Sequence, residues 1–136
     1  MALIANIVIA DGQATPVNHT FSPVASTPVP SYRESIGALA LVGQGRITAV
    51  NRSAPSAALQ RVRVSLELPA LETVSGNNAE GYTAAPKVAY TNTVLVEFIL
   101  PARGTASQRK DLRVLLSNLL KDAQIVDLID NLNQPY

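Results

Sequence analysis

Cysteine and tryptophan are absent from this 136-residue chain, histidine occurs once, and aromatic rings make up only 4% of its residues. Each absence removes a class of chemistry or structure. Without cysteine there are no disulfides, thiolate nucleophiles or Cys-based metal sites, while the redox compartment stays open. A single histidine, His19, rules out a two-histidine metal site within one chain, and it reads as an ordinary surface or loop residue. With so few rings the core must rest on Val, Leu, Ile and Ala, each of which buries less area than an aromatic side chain. Such a chain is expected to need a partner to complete its core.

Charge is sparse too, at 15% of residues with a net +1. The N-terminal stretch has no basic segment, and Asp11 interrupts its apolar run well short of the ~20 residues that a membrane span requires. A soluble, unsecreted product without a membrane partner is expected. No Gly-rich phosphate loop, zinc signature or nucleophile elbow is present. The acids Asp11, Glu34, Glu67, Glu72, Glu80 and Glu97 are scattered, so spacing supports no catalytic pair. The expectation is a non-enzyme with no cofactor, no metal ligands and no catalytic residues.

The 47% apolar content suits a folded chain, and the length suits one domain over residues 1–136. Residues 4–21 read as an N-terminal hairpin, with Asp11-Gly12 as its turn. Pro23, Pro28 and Pro30 argue for a loop over 22–31. A sheet region follows over about 32–101. Its clearest segment is Arg61-Val62-Arg63-Val64-Ser65-Leu66-Glu67-Leu68, where strict alternation means one dry and one wet face, with both arginines on the wet side. Residues 71–86 form a polar run too long for an ordinary hairpin connection, and a long strand runs from about Val88 to Leu100.

Beyond Pro101 the period changes. Thr105 and Gln108 have capping-box spacing, and Leu112, Leu115, Leu116, Leu119 and Leu120 share one helical face. Asp122 can cap a second helix whose Ile125, Val126, Leu128, Ile129 and Leu132 form an apolar stripe. The two helices occupy about 105–132. Sheet first and helices last makes the chain α+β: an N-terminal hairpin, a five-stranded antiparallel sheet and two C-terminal helices. Two helices cannot cover so wide a sheet alone. A dimer in which each chain lays its helices across the other's sheet would cover the dry faces and leave the arginine face open.

Between Gln44 and Ala70 stand four arginines (Arg46, Arg52, Arg61, Arg63) and one acid, Glu67. Joined by Thr48, Tyr90 and Asn92, they can supply phosphate neutralisation, hydrogen bonds to base edges and a stacking ring. Periodicity alone leaves open the plainer reading, in which the arginines solvate the open side of a sheet.

Over essentially its whole length the chain resembles the levivirus-type coat proteins of small single-stranded RNA bacteriophages. The carrying residues are the Ile7-Val8-Ile9-Ala10-Asp11-Gly12 hairpin, the Arg46–Arg52 strand followed by Ser53-Ala54-Pro55, and the alternating strand ending at Pro69. After the long loop come Val88-Ala89-Tyr90-Thr91-Asn92 and an ending of Leu119-Leu120-Lys121-Asp122 through Ile129 to Tyr136. The resemblance implies an interlocked homodimer with a continuous sheet, dimers tiling an icosahedral virion shell, and assembly in the bacterial host cytoplasm. It implies as partners a second copy of the chain, single-stranded genomic RNA, and an RNA hairpin whose capture represses translation of the replicase. Carried over by position, Tyr90 stacks on an operator base with Asn92 hydrogen-bonding nearby, Thr48 lines an adenine pocket, and Arg46, Arg52, Arg61 and Arg63 meet phosphates. Val50 stands where members often carry a small hydroxyl residue, and Ser65 where a basic residue can occur. A dimeric RNA-binding regulator that uses the same sheet without closing a shell is the alternative.

Overall fold

In the computed structural model, residues 3–35, 40–72 and 85–135 are described. Among the described residues six antiparallel strands form one sheet in chain order: β1 (Ile7–Ala10), β2 (Asn18–Ala25), β3 (Ser31–Glu34), β4 (Arg46–Asn51), β5 (Leu59–Leu71) and β6 (Val88–Pro101). Helices α1 (Ala106–Leu119) and α2 (Ala123–Asp130) follow. The α+β class and element order are as expected. The N-terminal hairpin, however, is not a separate unit: β2 pairs onward with β3, so one six-stranded sheet replaces a hairpin plus five strands.

Proline placement explains where strand boundaries outran the expectation. Pro23 lies inside β2, opposite Tyr32, where its proline-rich surroundings predict a loop. The β1 ladder ends at the Ile7–Phe21 pair, so past Phe21 the strand has one neighbour only, and the register shifts between Pro23 and Ala25. A residue with no N–H is tolerated where the ladder is one-sided or bulged. Pro69 pairs with Thr91 beyond the last β4 partner of β5, and Pro101 closes β6 opposite Leu59.

Most of the expected long loop over 71–86 lies outside the described residues; its base is held where the Glu72 N–H donates to the Lys87 carbonyl (2.8 Å). Both helix starts follow their local sequence. The Thr105 hydroxyl accepts from the Gln108 N–H (3.2 Å) while the Gln108 side chain accepts from the Thr105 N–H (2.9 Å), and Asp122 accepts from the Gln124 N–H (3.0 Å).

Among the described residues only Phe21, Ile47 and Glu34, with Gly43 and Gly45, are buried. Neither helix contains a buried residue. Leu112 and Leu116 of α1 border a groove with Leu95–Ile99 of β6, and otherwise the helices barely touch their own sheet. The chain exposes 10595 Å², against about 6800 Å² for a self-contained globular protein of this mass.

Candidate nucleic-acid interface

Strand pairing sorts the side chains into two faces, because directly opposed residues point the same way and successive residues alternate. Four cross-strand rows make up one face. The first runs Ser22, Arg33, Arg46, Glu67, Thr93, and the second Ala25, Ser31, Thr48, Ser65, Leu95. The third is Val50, Arg63, Glu97. In the fourth the Arg52 N–H donates to the Arg61 carbonyl (2.8 Å), extending the ladder one residue past β4, with Ile99 beyond. The period-2 pattern of β5 delivers Arg61, Arg63, Ser65 and Glu67 here, and that of β4 delivers Arg46, Thr48 and Val50.

A row of hydroxyls thus lies between rows of guanidinium groups. Thr48 Oγ1 and Ser65 Oγ share a 2.5 Å hydrogen bond. Arg61 and Arg63 lie 4.0 and 3.9 Å from the Glu97 carboxylate, too far for a hydrogen bond, and the buried Arg63 Nε has no hydrogen-bond partner. Five arginines against Glu67 and Glu97 leave the face positive. Arg46, Thr48, Val50, Arg52, Arg61, Arg63 and Ser65 are therefore brought together.

Tyr90 and Asn92 are not. They pair with Ala70 and Leu68, which lie on the opposite, apolar face with Leu66, Val64 and Ile47. Alternation along β6 does separate Tyr90, Asn92, Val94 and Val96 from Thr91, Thr93, Leu95 and Glu97. It is the second set that faces the arginines, because Glu97 pairs with Arg63. Tyr90 is 63% exposed on its own side of the sheet. Sequence reasoning missed Arg33, which a four-residue strand without clear alternation conceals, and Thr91, Thr93 and Glu97, whose signal was an acid in step with two threonines.

His19 is also more than a surface residue. It lies on the apolar face, where its ring nitrogens hydrogen-bond the buried Glu34 carboxylate and the Asp11 carboxylate (3.3 Å). Glu34 also accepts from the Gly45 N–H (3.2 Å), and Asp11 from the N–H groups of Val17 (2.9 Å) and Gln13 (3.3 Å). The bond to Glu34, then that to Asp11, raises the His19 pKa above its ordinary value, and the Val17 N–H leads in lowering that of Asp11. Ile9, Phe21, Leu66 and Leu68 line an apolar cavity of about 170 Å³ beside this cluster. The cluster ties the hairpin turn to β3 on the side of the sheet away from the arginines.

Comparison with known proteins gives a consistent result. The family model of the levivirus coat protein matches residues 2–136. The capsid protein of Pseudomonas phage PRR1 is 29% identical, with 99% of this chain and all of that protein covered. Among solved structures, the virus-like particle of bacteriophage ESE058 superposes with a TM-score of 0.88 at 34% identity, covering 99% of this chain and 100% of that one. That of bacteriophage NT-214 gives 0.84 at 26%, with the same coverage.

Proposed function

The chain belongs to the levivirus coat protein family, whose members are structural capsid proteins and not enzymes, and from that premise we propose that it dimerises, closes into an icosahedral shell and packages single-stranded RNA against its arginine face. The virion is then its final location, with assembly in the bacterial host cytoplasm. The observation that carries the RNA half is the placement of the Ser31–Thr48–Ser65 hydroxyl row between arginine rows. Arginines there neutralise phosphates on both sides of a nucleotide, while the hydroxyls can donate to and accept from base edges and the ribose 2′-OH. Val50, beside Arg63, offers an apolar contact to the same nucleotide. Tyr90 and Asn92 have no part in this face, so base recognition falls to the hydroxyls.

Two features support the dimer. Apolar side chains of the helical segment stand in water, Leu115 of α1 being 65% exposed and Leu132, just past the end of α2, 85%, and obligate partners cover apolar surface of this kind. The terminal strand β6 also presents a 14-residue edge with a single charged residue, Glu97, and an edge so long and apolar needs covering. Pairing of β6 with the β6 of a second copy gives a continuous sheet, and each pair of helices then lies over the other chain's apolar face. The PRR1 capsid protein and the ESE058 particle support the further step from dimer to shell.

The test is electron microscopy of the purified protein with its nucleic-acid and protein absorbances recorded on the same sample. Uniform closed particles that contain RNA are expected. Dimers that bind RNA but never assemble would instead identify a regulator. A hairpin operator, and through it repression of the replicase, is part of the same reading: one hairpin should outcompete bulk RNA for the dimer. For the face itself, Arg63→Ala should reduce the salt slope of RNA binding by roughly 0.7 to 1 unit, and an unchanged slope removes RNA from this surface.

A further inference from the structure

We propose that Arg33 and Arg46 form a clamp for one RNA phosphodiester, at the edge of the nucleotide position over the hydroxyl row. The inference rests on the RNA-binding reading of the arginine face and adds to it a residue that no pattern in the chain marks. Arg33 on β3 and Arg46 on β4 are direct cross-strand partners, so both side chains leave the sheet on one face and line one groove. Like charges placed so destabilise a sheet unless something lies between them. Arg33 Nε is buried and has no hydrogen-bond partner, and among the described residues neither arginine has an ion pair within 4.0 Å.

The pair opens into a groove of about 330 Å³, lined also by Ser31, Thr48 and Glu67. Glu67 is the cross-strand partner of Arg46 and balances one of the two charges. One positive charge is left, which matches a single phosphodiester and not a dianionic phosphate. Guanidinium groups suit it because their planar forks grip phosphate oxygens in pairs. Ser31, Thr48 and Ser65 follow one row further along the strands, so a nucleotide whose phosphate sits in the clamp has its sugar and base over the hydroxyls.

The experiment measures single-stranded RNA binding by the full chain across a salt series, for the wild type, Arg33→Gln, Arg33→Lys and Arg63→Ala. Arg33→Gln is expected to weaken binding severalfold and to reduce the salt slope by roughly 0.7 to 1 unit, as one lost phosphate contact does. Arg33→Lys should retain the slope, since the charge remains, and also shows that the position tolerates change without loss of folding. If Arg33→Gln keeps the wild-type slope while Arg63→Ala loses part of it, the clamp is wrong and the RNA face stands. If neither variant changes the slope, the RNA reading falls and the clamp with it. Loss of slope in Arg33→Lys as well would also overturn the clamp, because charge would not be what the position supplies.

Discussion

At the scale of the residue, the Asp11–His19–Glu34 cluster makes folding pH-dependent with a definite sign. The His19 pKa is raised in the folded chain, so its contribution is complete below the unfolded value of about 6.5 and is lost as pH rises through the folded pKa. The Asp11 pKa is lowered, so its contribution is present above about 3.8 and is lost as pH falls through the folded pKa. The cluster therefore stabilises most in the mildly acidic range between them. Thermal melts of wild type and His19→Gln should differ most in that mildly acidic range, with the gap closing as pH rises through the raised His19 pKa; a gap independent of pH would assign His19 a packing role only. Gly45 presents a purely steric case. A Cβ there would stand 3.0 Å from Glu34 Oε2 and from a Leu68 methyl, and 3.1 Å from the Phe21 ring, which is 1% exposed and has no room to retreat. Gly45→Ala should cost about 1 to 3 kcal/mol in denaturant titrations, as overpacking does.

Elements differ in how much of their structure is local. Each helix is specified by residues within a few positions of one another: the Thr105–Gln108 box, the Asp122 cap and the leucine spacing between them. These positions are readable in the chain, and both helices lie where the pattern places them, except that α2 stops at Asp130 and Leu132, expected on its stripe, lies past the cap with a φ of 58°. What their apolar stripes face is not local. On the isolated chain Leu115 is in water, where Leu115→Glu would change stability by no more than about 0.5 kcal/mol. Covered by a second copy it buries an unpaired charge, so the variant is expected to abolish both dimers and particles by size-exclusion chromatography while retaining helical circular dichroism only in part. Full assembly of Leu115→Glu would show that α1 faces solvent. In β6 the alternation was legible but its polarity was not, because a strand's two faces are equivalent until its partner sets the register. Arg63 opposite Glu97 decides that question, and with it the fate of Tyr90 and Asn92.

For the whole molecule, a described core of Phe21, Ile47 and a few glycine-lined contacts cannot offset the conformational entropy of 136 residues, which is of order 1 kcal/mol or more per residue. Folding and association should therefore be one equilibrium. The melting temperature of the dimer is expected to rise with protein concentration, and to rise further with added RNA, since whatever binds only the folded form stabilises it by mass action. A melting temperature independent of concentration would mean that one chain is stable alone.

By itself the sequence determined what depends on neighbours along the chain: the α+β class, the alternation of β5, the two capped helices, and the shortage of rings that leaves one chain an incomplete core. The arginines of β4 and β5 were legible for the same reason, since their period of two is a property of a single strand. Only the tertiary structure decided which side of β6 joins them, that Arg33 stands against Arg46, and that His19 bridges a hairpin turn to a buried glutamate. These depend on register between segments far apart in sequence. A shift of one residue exchanges the two faces of a strand without altering its pattern.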